Sequence, residues 1–137
     1  MQENFEKQEN FTTFAAMKKI REEKFARYIQ KELGYIFLHQ VKIPNRVTYI
    51  SVTKVVVSPD HGYVKIYLSF LNEKEPLKLI EEIKVYTREI RIALAQRIRN
   101  HVRKIPEIAL FYDDTMDYVE KMEDIFKKLN HEDNLKS

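Results

Sequence analysis

The sequence predicts a small two-layer α+β domain, in the order α-β-β-α-α-β-α, with a three-stranded sheet and helices packed on one face. Two changes of period predict it. Apolar residues recur at three- and four-residue steps up to about Leu38 and again from Leu77, which marks helices with one buried stripe. Between those stretches, and once more at 108–112, the pattern turns β-branched or alternates residue by residue, which marks strands. A length of 137 residues then sets the count at one domain with enough interior to fold without staples.

Residues 1–12 are polar and read as a flexible lead. The first helix is expected from Thr13 to Leu38, with Phe25, Tyr28, Ile29, Leu33, Ile36 and Phe37 on its stripe and Met17 and Ile20 extending it upstream. Gly34 lies inside that helix, where it costs about 1 kcal/mol or marks a close approach. KIPNRV, 42–47, reads as a linker, because Pro44 stops a helix and Asn45 suits a turn. VTYISVTKVVVS, 47–58, and YVKIYLSF, 63–70, make a hairpin that turns on Pro59-Asp60-His61-Gly62, with Gly62 expected at positive φ. Val64, Ile66, Leu68 and Phe70 share one face of its second strand; Tyr63, Lys65, Tyr67 and Ser69 share the other.

Asn72 and Glu75 are spaced as a capping box ahead of Pro76, opening a short helix to about Tyr86 with Leu77, Ile80 and Ile83 inward and Leu79 a further candidate. From Arg88 a further helix is expected through Ile90, Leu94, Ile98 and Ile105, ended by Pro106. IALFY, 108–112, is the third strand. Asp114 or Thr115 can cap a last helix whose Met116, Val119, Met122, Ile125, Phe126 and Leu129 form an apolar face. The expected division is a lead over 1–12, a domain over 13–129 and a tail over 130–137.

The net charge of +3 is bland, but its distribution is not. Lys84 to Lys104 holds seven basic residues and one acid, Glu89, whereas Asp113 to Asp124 holds six acids and one lysine. Such segregation focuses a field on one region. If Ile90, Leu94 and Ile98 face the core, the basic side chains are expected to point outward together, Arg88, Arg99 and Arg103 well across from the stripe and Arg91, Arg97 and Lys104 flanking it. One reading is a solvated face. The other is contact with a polyanion, favoured by the scarcity of acids and by the planar fork that arginine offers to phosphate. Lys84, and Lys18, Arg21 and Lys24 on the first helix, extend the candidate RNA-binding set. Tyr63 and Tyr67 on an open sheet face could stack bases, although cross-strand pairing explains them as well.

Catalysis finds no support. Cysteine is absent, the four histidines lack ligand spacing, two glycines cannot build a phosphate loop, and no serine sits in a nucleophile elbow. Asp113, Asp114 and Asp117 complement a helix start. No enzyme, metal or cofactor is expected. The polar opening lacks a signal-peptide pattern and no apolar run reaches membrane length, so a cytoplasmic protein without membrane contact is expected.

Several strings, in order, resemble the bacterial ribosome-binding factor A family over roughly residues 14–128. KIREEKFARYIQKELGYIF is similar to that family's opening helix, and ISVTKVVVSPDHGYVKIYLSF to its strand, Ser-x-Asp turn and strand. EIR at 89–91 and IPEIALFYDDT at 105–115 resemble its Ile-Arg and Pro-Glu-Leu-x-Phe-x-x-Asp signatures, with Ile108 and Leu110 replacing the second signature's Leu and Phe. The resemblance implies a type II KH-like fold and an assembly factor that binds the immature small ribosomal subunit at its rRNA; a monomer is the simpler expectation for its oligomeric state. It implies support for small-subunit maturation and rRNA 5′-end processing, with ribosomal proteins or other assembly factors as further partners. It also implies a kink between two helices, usually Ala-x-Gly, where this chain has Tyr86-Thr87-Arg88. The competing reading is a protein-interaction module without direct RNA contact, using the tyrosine face or the acidic last helix.

Overall fold

A computed structural model describes the backbone of residues 2–41 and 49–136, and side chains over 13–41 and 49–131. The elements run α1 (Gln2–His39), β1 (Ile50–Val57), β2 (Tyr63–Phe70), α2 (Pro76–Lys84), α3 (Thr87–Ile98), β3 (Glu107–Tyr112) and α4 (Thr115–Lys136). The expected α+β order is observed. α1 extends upstream of Thr13 over the stretch read as a flexible lead, and α4 reaches into the stretch read as a tail. The expected linker at 42–47 lies outside the described residues.

The sheet is mixed, in the order β1-β2-β3, with β1 antiparallel and β3 parallel to β2. The parallel pairing requires a crossover, which α2 and α3 supply. Alternation sends Val55, Val57, Val64, Ile66, Leu68, Ile108 and Leu110 to one face, all buried. Ile29, Leu33, Ile36 and Phe37 of α1, Leu79, Ile80 and Ile83 of α2, and Ile90, Leu94 and Ile98 of α3 close over that face as a single core. Ile90, Leu94 and Ile98 have no exposed surface, and each contributes roughly 1.5–3 kcal/mol of burial. They hold α3 in a fixed rotation, which the position of every basic side chain on it inherits.

Four local expectations are corrected. Gly62 does not take positive φ; His61 does, at 59°. The Asp60 carboxylate accepts from the Ser58 hydroxyl (2.7 Å) and the Gly62 N–H (3.1 Å), and this Asx turn forces the left-handed residue one position earlier. Gly62 is useful for its lack of a side chain, since a Cβ there would lie 3.1 Å from Asp60 Oδ2. Asn72 takes φ 59° rather than capping α2; Glu75 is the N-cap, without a side-chain cap bond, ahead of Pro76. Leu77 is 70% exposed, because Leu79 takes the inward position beside Ile80 and Ile83.

The fourth correction concerns α3, which ends at Ile98 and not at Pro106. The His101 N–H donates to the Ile98 carbonyl (2.8 Å) and closes a tight turn. A helix continued to Ile105 would carry the chain about 10 Å further along the axis. β3 could not then begin beside β2, where the Glu107 N–H donates to the Gly62 carbonyl at 2.9 Å. The break between α2 and α3 needs no glycine. The Tyr86 N–H donates to the Ile83 carbonyl (2.9 Å) and the Thr87 hydroxyl to the Lys84 carbonyl (2.6 Å), so threonine fastens the corner through its side chain.

A β-bulge between Val52 and Lys54 re-aims Thr53. Its hydroxyl lies 2.6 Å from Asp113 Oδ2, fastening the end of β3 to β1. Beyond this point the apolar face of α4 finds no cover: Met116, Val119, Met122, Ile125, Phe126 and Leu129 are 37–59% exposed.

Candidate nucleic-acid interface

Ending α3 at Ile98 redistributes the charge. Arg103 and Lys104 leave the helix and lie in an irregular segment that turns back toward α1 and the β1–β2 turn. There they line a cleft of about 660 Å³. Arg21, Lys24 and Phe25 of α1 form one wall and His101, Val102, Arg103 and Lys104 another, with the Pro59-Asp60-His61 turn between them. Arg21, Lys24, Arg103 and Lys104 make no ion pair among the described residues. Asp60, the one carboxylate in the lining, is committed to the turn. The Ser58 hydroxyl first, then the Gly62 N–H, hold its carboxyl below the usual value, and the charge of Lys104 acts in the same direction.

The aromatic rings of the cleft are braced. His61 stacks on Phe25 with centroids 4.6 Å apart and planes 11° from parallel, and Tyr28 meets His101 at 5.8 Å. A smaller hollow of about 310 Å³ continues along α1 past Phe14, Met17 and Lys18, sharing Arg21, Pro59 and His61 with the first. Lys18, Arg21 and Lys24 thus meet Arg103 and Lys104 in one region, from residues roughly eighty positions apart in sequence.

The remaining basic residues fare differently. Arg88 and Arg99 are exposed on or beside α3. Arg91 turns inward: Nε donates to the Pro106 carbonyl (2.9 Å), and Nη2 donates to the Ile105 carbonyl (3.2 Å) and meets Glu107 at 3.1 Å. Arg97 pairs with Glu32 and lies over the Tyr35 ring, 4.0 Å from its centroid. Lys84 pairs with Glu81 one turn away, at 3.1 Å. The expectation that all these side chains point outward together is therefore corrected for Arg91 and Arg97. Both flank the buried stripe closely enough for carbonyls and carboxylates of neighbouring elements to reach them.

Phe25, His61 and His101 were not among the sequence-derived site residues. Histidines weighed only as metal ligands, and a phenylalanine on a core stripe, carried no sign of a shared cleft. Among the described residues no group of three or more His, Asp or Glu could hold a metal, and no helix is long and apolar enough to cross a membrane. Tyr67 stacks on Phe111 (5.4 Å) with the Lys54 ammonium 5.9 Å from its ring, so cross-strand pairing engages Tyr67, while Tyr63 is 41% exposed. A further groove of about 730 Å³ beside Tyr67, Leu77 and Phe111 carries Glu81, Asp114 and Asp117 against Lys84 and Lys121, without the cationic excess of the cleft.

Residues 21–126 match the family model described as ribosome-binding factor A. The chain is 41% identical over 113 residues to ribosome-binding factor A of Cytophaga hutchinsonii, covering 82% of this chain and 85% of that one. It is 37% identical over 106 residues to that of Flavobacterium psychrophilum, covering 75% and 80%. Among solved structures it is similar in fold to the Thermus thermophilus factor, with a TM-score of 0.51 at 17% identity over 66% of this chain and 94% of that one. A Thermus thermophilus model fitted into a cryo-EM map of a 30S complex gives 0.53 at 19% identity, over 64% and 90%. A family match spanning most of the folded body, together with relatives above 30% identity, places the chain in the ribosome-binding factor A family.

Proposed function

We propose that the protein binds the immature small ribosomal subunit through its rRNA and supports subunit maturation, including processing of the rRNA 5′ end. It acts as a binding factor with no chemistry of its own, in the cytoplasm and as a monomer, on a type II KH-like fold. The observation that carries this reading is the cleft where Arg21 and Lys24 of α1 face Arg103 and Lys104 from beyond α3. Cations brought together from distant parts of the chain, with a lone acid occupied elsewhere, suit phosphates held at set positions. Rigid presentation then favours one arrangement of the RNA by mass action.

Within the sequence-derived set, Lys18, Arg21, Lys24, Arg103 and Lys104 form the centre, while Arg88 and Arg99 extend the footprint along α3. Arg91, Arg97 and Lys84 serve the reading indirectly, because their charges are engaged within the chain. Association with purified small subunits across a salt series tests it. Arg21→Glu, Lys24→Glu, Arg103→Glu and Lys104→Glu together should abolish binding. Single Arg→Ala or Lys→Ala changes at these positions should each flatten its salt dependence, since each phosphate contact contributes about 0.7–0.9 to the slope. Unchanged affinity in the fourfold variant would overturn the reading.

A second reading rests on the uncovered face of α4. Exposed Met122, Ile125 and Phe126 beside Glu120, Glu123 and Asp124 suit protein contact, with ribosomal proteins or other assembly factors as partners. Charge reversal in the cleft would leave such binding intact, whereas Ile125→Asp would remove it.

A further inference from the structure

The cleft combines two kinds of group that a phosphate site alone does not need. Its walls are cationic, and the turn between them carries an imidazole ring. That ring is not a loose surface side chain. It projects from a residue at φ 59°, and stacking against Phe25 braces it at 4.6 Å. The smaller hollow shares His61 and Arg21, so His61 stands where the two hollows meet, with Phe14 and Met17 lining the smaller one and His101 the larger.

We propose, building on the RNA-binding reading above, that this cleft takes a single-stranded stretch of RNA. One unpaired base packs against the His61 ring, and its flanking phosphates lie between Arg21 and Lys24 on one side and Arg103 and Lys104 on the other. An A-form duplex keeps its bases paired inward and offers a partner mainly its backbone and shallow minor groove. It cannot bring a base onto a ring recessed between two walls, whereas an unpaired nucleotide can be splayed out to do so. The cleft, of about 660 Å³, is large enough to take one nucleotide against the ring. The smaller hollow, with Lys18 for a next phosphate and Phe14 and Met17 for a next base, sets the direction in which the strand continues along α1. This assigns base contact to His61 and a supporting role to Phe25, in a region distinct from the α2–α3 corner at Tyr86-Thr87.

The test uses the intact chain, a fluorescently labelled single-stranded hexaribonucleotide, and the same sequence annealed into a blunt duplex. The single strand should bind at least tenfold more tightly than the duplex. His61→Asn keeps a residue that tolerates positive φ while removing the ring. It should weaken single-strand binding by about 5- to 100-fold and leave the salt slope unchanged, as loss of one stacked base does. Arg103→Ala with Lys104→Ala should instead lower that slope by about 1.4. A hexamer carrying 4-thiouridine, irradiated on the unsubstituted chain, should cross-link within 59–62 or 101–104, a readout that needs no variant to fold.

Equal or tighter duplex binding, an unaffected His61→Asn, or cross-links confined to the α2–α3 corner would each overturn the proposal. Small-subunit association separates this failure from that of the wider reading. If cleft charge reversal abolishes subunit binding while the hexamer shows no strand preference, RNA binding stands and single-strand capture falls. If charge reversal leaves subunit binding intact, the RNA reading falls as well.

Discussion

Arg97 on α3 is ion-paired with Glu32 on α1, 65 positions earlier in the chain. Their side chains are 31% and 16% exposed, and the same guanidinium lies over Tyr35. The contact joins the two longest helices that cover the buried face of the sheet. A cation that reads from the sequence as part of an outward patch thus acts as a clasp.

Arg97→Met should lower stability by about 1–3 kcal/mol, because it leaves Glu32 partly buried without its partner. Urea unfolding would show the lowered midpoint. The folded variant should keep its salt dependence for RNA, whereas loss of Arg103 should not.

Two glycines should respond in opposite directions. Gly34 lies within α1 and a Cβ there meets nothing within 4 Å, so Gly34→Ala should raise stability by about 0.5–1 kcal/mol. Gly62→Ala should lower it, since the new Cβ crowds the Asp60 carboxylate that organises the turn. Paired thermal melts check both signs.

The Asp113 carboxyl is held below its usual value by the Thr115 hydroxyl, then by the Thr53 hydroxyl and the Thr115 N–H. A folded-state value below the unfolded one means that ionised Asp113 stabilises the fold above the ordinary carboxylate range. That contribution disappears as pH falls through the depressed folded value. Urea midpoints should therefore hold near neutral pH and drop below about pH 4. Thr53→Val should cost about 0.5–1.5 kcal/mol at pH 7 and progressively less as pH falls through the depressed folded value.

Leu94 is wholly buried at the centre of the α3 stripe. Leu94→Ala should destabilise by about 2–5 kcal/mol through lost burial and the cavity left behind. Chemical denaturation measures that loss. Single-strand affinity, corrected for the folded fraction, should stay within a fewfold of the original, since no cleft group is touched.

The division between what was legible and what was not follows from distance along the chain. YVKIYLSF reads as a strand, and Ile90, Leu94 and Ile98 as an inward stripe, because period is a property of neighbours. The end of α3 is not legible in the sequence, because Ile105 continues the helical spacing. What stops the helix is the position of β2, which the segment itself does not contain. The turn is legible at Pro59-Asp60-His61-Gly62, but its positive-φ residue is not. Asp60 decides that through a side-chain bond which overrides the usual preference for glycine.

By itself the sequence determined the order of elements, most residues of the core and the segregation of charge, because local period and composition encode all three. Only the tertiary structure decided which cations remain free. Arg91 and Arg97 found partners on other elements, while Arg103 and Lys104 were carried across to Arg21, Lys24 and His61. The physical reason is that a charge is spent or kept according to what lies within a few ångströms of it, and folding chooses those neighbours from distant parts of the chain.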